Sequence, residues 1–249
     1  MKVKLLQWNS WYKEKIENIV SVLKRIDPDI ICLQELTTTS SFNPNLDEAH
    51  YISRKLGVFY YYHQAQEWNI NDTVRTQGNG IFSKFPLVKT AFEYTVLPAP
   101  PDTNDWGKEG RVYVEATVQI ANKMLNIGTT HLSYTHRFIN TPQKKKEIQN
   151  LLGILKTKQN QPYIFTGDLN SQPQSYTVKN ICKLLKHAGP PFTEKTWTTK
   201  PFAKDGFKET QLNWRLDYVF TTSDIRINNI KIMSVSYSDH LPILLEMII

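Results

Sequence analysis

Apolar positions fall into short runs along the chain, and their spacing separates two kinds of element. Runs such as Ile30-Ile31-Cys32-Leu33 are apolar at consecutive positions, which predicts strands covered on both faces of a sheet. On this basis strands are predicted over 3–8, 29–34, 80–85, 111–120, 124–131, 163–167, 216–220, 226–235 and 243–248. A spacing of three and four residues at Ile16, Ile19, Val20, Leu23 and Ile26 predicts a helix. A second helix follows Thr141-Pro142 with Ile148, Leu151, Leu152 and Leu155, and a third carries Val178, Ile181, Leu184 and Leu185.

Predicted strands outnumber helices, and 111–120 joins 124–131 across Asn122-Lys123 as a hairpin rather than through a crossover helix. Strict β/α alternation is therefore disfavoured. The pattern fits an α/β (α+β) chain in which two sheets pack together with helices outside. No period of about 20–50 residues recurs and no stretch is biased enough to be a linker, so residues 1–249 are expected to form one domain. Four polar segments, 37–45, 67–77, 98–110 and 190–212, are long for simple connections and are expected to wall a cleft. Trp68, Trp106 and Trp197 lie in them, placed to stack on bases, to dip into a lipid surface or to pin the loops.

Composition adds two constraints. At 40% hydrophobic and 21% charged the chain has material for a core, which excludes disorder and collagen; the formal net charge of +7 favours anionic partners. Only Cys32 and Cys182 occur, so a disulfide framework and a CxxC metal knuckle are excluded and a reducing compartment fits. The stretch before Trp8-Asn9 is too short for a signal peptide and no 18-residue apolar run exists, so a soluble, cytoplasmic protein is expected.

Polar, metal-capable residues repeatedly close an apolar run: Asn9, Glu35, His131 and Asp168. Strand ends at one rim of a sheet converge in space although distant in sequence. Each residue alone reads as an ordinary capping, turn or core residue, and only their joint occurrence overturns that. Asn, Glu and Asp are hard oxygen ligands, which implies Mg2+, with Mn2+ as the alternative, held by Glu35 with Asn9 or Asp239. No GxxxxGK[ST] loop, GxSxG elbow or HExxH helix is present. Lys144-Lys145-Lys146 opens a helix and reads as a solvated face.

Seven motifs occur in order: Trp8-Asn9, Gln34-Glu35, 78–86 (GNGIFSKFP), Thr130-His131-Leu132, Gly167-Asp168-Leu169-Asn170, Arg215-Leu216-Asp217-Tyr218 and Ser238-Asp239-His240-Leu241-Pro242. Together they resemble the motif set of the endonuclease/exonuclease/phosphatase (DNase-I-like) superfamily over nearly the whole chain. The resemblance implies a four-layer α/β/β/α sandwich with its site at one edge of the two sheets. It implies that Asn9 and Glu35 hold a divalent ion with Asp239 near it. Asp168 and Asn170 would orient or deprotonate the attacking water, His131 and His240 would bond the scissile phosphate, and Asp217 would orient His240.

The superfamily hydrolyses several classes of phosphate ester, so the reaction is implied more firmly than the substrate. Residues 213–218 (NWRLDY) are similar to exonuclease-III-type apurinic endonucleases, from which the chain departs at Trp11 and at Arg75-Thr76-Gln77. The PAWCDR motif of inositol-polyphosphate 5-phosphatases is absent. Net charge favours nucleic acid as the substrate, with phospholipid or a small phosphate ester as the alternative and a non-catalytic binding module last. No obligate protein partner is expected.

Overall fold

The structure, a computed structural model, describes residues 1–70, 73–101 and 108–249, and of residue 70 only the backbone. In chain order the first half is β1 (Lys2–Asn9), α1 (Ile16–Ile26), β2 (Ile30–Thr38), α2 (Glu48–Leu56), β3 (Phe59–Ile70), β4 (Thr73–Ser83), β5 (Leu87–Val96), β6 (Arg111–Ile120) and β7 (Lys123–His131). A 3-10 turn, His136–Phe138, precedes α3 (Pro142–Lys156). There follow β8 (Tyr163–Asp168), α4 (Tyr176–Ile181), β9 (Lys186–Gly189), β10 (Phe202–Lys204), β11 (Phe207–Glu209), β12 (Asp217–Thr221), β13 (Arg226–Ile232) and β14 (Ile243–Ile248).

Two parallel pairs anchor two sheets. β1 lies parallel to β2 across α1, and β7 lies parallel to β8 across α3. Antiparallel strands extend each pair, giving one sheet in the order β13-β14-β1-β2-β4-β3 and another in the order β5-β6-β7-β8-β12-β9; β10 and β11 form a small separate hairpin.

Side-chain parity sets the layers, because successive strand residues face opposite sides. Val3 and Leu5 of β1, Ile30 and Cys32 of β2, Ile127 of β7, Ile164 of β8 and Val219 of β12 share one core between the sheets. The alternate residues Leu6, Trp8, Ile31 and Leu33 face α1 and α2 through Ile19, Leu23 and Ile52. On the far side Tyr163, Phe165 and Phe220 meet α3 and α4 through Ile148, Leu151, Val178 and Ile181. The result is the four-layer α/β/β/α sandwich that the resemblance implied.

The helices begin where capping chemistry allows. Asp47 accepts from the His50 N–H at the start of α2, and Thr141 accepts from the Lys144 N–H at the start of α3 with Pro142 in the first turn. α2 closes on Gly57 at φ 66°, a left-handed position that glycine adopts without Cβ strain.

Residues 67–70 and 73–77 lie in the paired strands β3 and β4 rather than in a loop, so Trp68 stands in a strand, and β3 is an edge of its sheet. Trp197 is buried, and Trp106 lies outside the described residues. Cys32 is a buried free thiol and Cys182 an exposed one. Among the described residues no helix is long and apolar enough to cross a membrane.

Candidate active site

The parity that builds the inter-sheet core also builds the site. Asn9 follows Val3 and Leu5 on the inner face of β1, His131 follows Ile127 on β7, Asp168 follows Ile164 on β8, and Asp217 precedes Val219 on β12. In register, His131 pairs with Asp168 across the parallel strands and Asp217 pairs with Asp168 across the antiparallel ones. Three side chains thus arrive at one rim from adjacent strands of one sheet, and Asn9 meets them from the other.

Glu35 breaks the parity rule for a visible reason. By alternation it would face the α1–α2 layer between Leu33 and Leu36, both packed there. A register shift between those two residues, with Glu35 at φ 62°, forms a bulge that turns its carboxylate to the rim. Asp239 and His240 are adjacent, and on a strand they would diverge. They lie ahead of β14, just after Ser238 at φ 66°, and both line the same cleft.

Hydrogen bonds weld the cluster. The Asn9 Nδ2 donates to Glu35 Oε1 and to Asp168 Oδ2, each at 3.0 Å, while its Oδ1 accepts from the Trp11 N–H. Glu35 Oε2 accepts from the Tyr12 N–H at 3.1 Å. Asp168 Oδ1 accepts from the Asn170 N–H, and Asn170 Nδ2 donates to Leu132 O at 2.9 Å and lies 3.0 Å from His131 Nε2. His240 Nδ1 bonds Asp217 Oδ2 at 2.8 Å, and His240 Nε2 lies 3.5 Å from Asp168 Oδ2.

The electrostatics divide the two histidines. Burial alone would push His240 down, but Asp217, Asp168 and Asp239 surround it and hold its imidazolium well above the usual range. His131 goes the other way: burial, and then the charges of Arg111, His240 and Lys144, drive it well below the usual range. A neutral His131 accepts the Asn170 N–H on Nε2 and so carries its proton on Nδ1. Burial pushes Asp168 and Asp239 each up to about 6, and raises Glu35. Carboxylates so crowded favour a positive partner.

Over this floor opens a cleft of about 900 Å3. Its walls carry aromatic side chains, among them Trp11, Tyr12, Tyr134 and Phe202, and the cations Arg75 and Arg111. Trp68 of β3 and the segment from Thr37 to Phe42 also line it, as the polar segments led one to expect. Arg111 is 7% exposed, gives its Nη2 to Glu109 Oε2 at 2.8 Å, and keeps a buried Nε without an acceptor.

A hard divalent cation fits these residues. Asp217 Oδ1 and Asp239 Oδ1 are buried carboxylate oxygens without a hydrogen-bond partner. Donor atoms of Asp168, Asp217 and His240 lie within 4.8 Å of one another. His240, charged and facing carboxylates through both nitrogens, is not itself a ligand; the oxygens of Glu35, Asp239 and Asn9 beside it suit Mg2+ or Mn2+ better than a thiophilic ion.

Several side chains contribute in ways that the sequence did not assign. Trp197 Nε1 donates to Asp239 Oδ2 at 2.9 Å, Trp8 Nε1 donates to His240 O at 2.9 Å, and Ser238 Oγ ties to Asn9 O at 2.7 Å. Lys144, read as part of a solvated run, is 2% exposed behind the site, whereas Lys145 and Lys146 are exposed. A hydroxyl, an indole N–H or one lysine among three looks ordinary until its partner is placed beside it.

The model of the Endonuclease/Exonuclease/phosphatase family matches residues 6–240 of the chain. No curated protein matches this chain. Among solved structures, an endonuclease/exonuclease/phosphatase from Bacteroides vulgatus superposes with a TM-score of 0.72 at 14% identity, covering 99% of this chain and 98% of that one. A mannosyl-6-phosphatase from Bacteroides thetaiotaomicron gives 0.68 at 15% identity over 99% and 100%. TDP2 from D. rerio, complexed with a single-strand DNA product, gives 0.68 at 18% identity over 100% and 99%. At these identities the likeness is one of fold.

Proposed function

This chain belongs to the Endonuclease/Exonuclease/phosphatase family, and from that membership we propose that residues 1–249 act as one catalytic domain, a divalent-metal-dependent hydrolase of phosphodiester bonds in nucleic acid. The observation that carries the reading is the charged His240 held between Asp217 and Asp168 at the floor of the cleft.

A phosphodiester is anionic and repels an attacking water, so hydrolysis needs charge neutralisation, a positioned water and help for the leaving oxygen. His240 as an imidazolium donates a hydrogen bond to a phosphate oxygen, and Asp217 fixes its tautomer. Asp168, at about 6, sits near the pH of its task and takes the proton of the water that Asn170 helps to orient. His131 completes the phosphate side of the pocket. Glu35 and Asp239, with Asn9, would hold Mg2+, or Mn2+ in its place. When bound it supplies Lewis-acid neutralisation of the phosphate oxygens.

The net charge of +7, the cations Arg75 and Arg111 and the aromatic walls support a nucleic acid strand over a small sugar phosphate. The likeness to both a mannosyl-6-phosphatase and a DNA-bound enzyme keeps a small phosphate ester or phospholipid as the second reading. The test is a panel of single-stranded, duplex and abasic DNA, RNA, sphingomyelin, phosphoinositides and sugar phosphates, run with Mg2+, Mn2+ or chelator. Chelator-sensitive cleavage of nucleic acid that Asp168→Asn abolishes supports the reading. Equal cleavage by Asp168→Asn and wild type overturns the site, and release of phosphate only from a lipid or sugar overturns the substrate.

A further inference from the structure

Lys144 is a charged side chain sealed in the layer between α3 and the rim of the sheet, 2% exposed, and burial pushes it down to about 8. A lysine is tolerated there only where its N–H groups find acceptors. They do. Nζ donates to Ser133 O at 2.6 Å and to Leu169 O at 3.1 Å, and lies 3.6 Å from Glu147 Oε2 one helical turn on. Glu147, also 2% exposed, returns the favour by accepting the Ser133 N–H at 2.9 Å.

The two carbonyls belong to the two segments on which the site depends. Ser133 lies two residues after His131, and Leu169 lies between Asp168 and Asn170. The two segments touch each other through Leu132 N–H to Asp168 O and Asn170 Nδ2 to Leu132 O, each at 2.9 Å. At this point β7 and β8 end, and Leu132 N–H to Asp168 O is the last ladder bond between them. Beyond it, one ammonium bonded to both carbonyls joins the two segments.

We propose that Lys144, supported by Glu147, is a positioning residue for phosphoester hydrolysis: it clamps the segments that follow β7 and β8 and so holds His131, Asp168 and Asn170 in their working arrangement. The inference rests on the function proposed above. Neither side chain is among those that line the cleft, so the pair acts through the backbone and not on the substrate.

The experiment compares wild type, Lys144→Met, Lys144→Arg and the double variant Lys144→Met with Glu147→Gln, which leaves no buried charge unpaired and so guards against simple misfolding. Hydrolysis of bis(p-nitrophenyl) phosphate in Mg2+ is measured alongside amide hydrogen exchange. The folded double variant is expected to lose about 10–100-fold in kcat with KM within about twofold. Lys144→Arg, which retains donors for two carbonyls, is expected to recover most of that loss. The amides of Leu132, Ser133, Leu169 and Asn170 exchange faster in the double variant while those of β1 keep their protection. A folded double variant with wild-type kcat, an arginine variant as impaired as the methionine one, or unchanged exchange at those four amides overturns the clamp. If wild type hydrolyses no phosphoester, the proposed function fails by itself, and the exchange arm still decides the clamp.

Discussion

Asp217 opens β12 of one sheet and His240 precedes β14 of the other, yet His240 Nδ1 and Asp217 Oδ2 are 2.8 Å apart and both side chains are buried. The bond spans the seam of the sandwich. It is also the strongest single reason that the imidazole stays charged, since only a facing carboxylate offsets the cost of burial. Asp217→Asn keeps the shape and removes the charge. Turnover should fall about 10²–10⁴-fold. The alkaline limb of kcat against pH should also move to lower pH, because His240 would surrender its proton earlier. An unmoved limb would show that the imidazolium is not the working form.

Burial pushes the Asp168 carboxyl up to about 6, and the neighbouring Asp217 charge adds to the rise. Asp168→Asn is expected to reduce turnover by about 10²–10⁴-fold while thermal stability holds or rises, since a strained buried acid is exchanged for a neutral amide. A calorimetric scan beside the rate assay checks this. A large fall in melting temperature would instead make Asp168 chiefly structural.

Glu48 lies away from the reacting centre. Its carboxylate accepts the Thr37 N–H at 2.8 Å and the Asn43 Nδ2 at 2.7 Å, anchoring the segment that lines the cleft. Burial pushes it up from 4.5 to about 7, although those hydrogen bonds pull it down. The folded state therefore holds this proton across a pH range in which the unfolded chain has lost it. The contribution of Glu48 to stability falls as pH rises from about 4.5 to about 7 and is flat above, by at most about 3 kcal/mol. Urea unfolding of wild type and Glu48→Gln between pH 4.5 and 8 should show a smaller decline in the variant. Parallel curves would contradict the assignment.

Arg111 lines the cleft with a buried Nε that no protein group accepts. Arg111→Met should raise KM for an oligonucleotide and reduce the slope of log affinity against log salt by about one, leaving kcat nearly unchanged. A salt series on both proteins measures it. An identical slope would mean that Arg111 serves only Glu109.

Much of this was legible before any coordinates, and the reason is periodicity. α1 coincides with the predicted spacing from Ile16 to Ile26, and β6 and β14 run as predicted, because their apolar positions are dense and regular. α2 was invisible, since Glu48–Leu56 mixes charges into a single turn of apolar residues around Ile52. β3 and β5 escaped for a different cause: they are the edges of their sheets, partly solvated, and their sequences lack a clean alternation. At the site, the strand-end pattern found Asn9, Glu35, His131 and Asp168, and the structure brings all four together. It had no means of finding Lys144, because a buried lysine and a solvated one are the same letter.

The side chains that meet at the rim arrive from both halves of the sandwich, with Asn9 bridging to Asp168 and Gln34 Nε2 reaching Thr129 Oγ1 at 2.8 Å. Neither half carries the pocket by itself. Turnover is therefore a coincidence detector for docking: a chain with every helix and strand formed but the two layers slightly apart would be spectroscopically folded and catalytically silent.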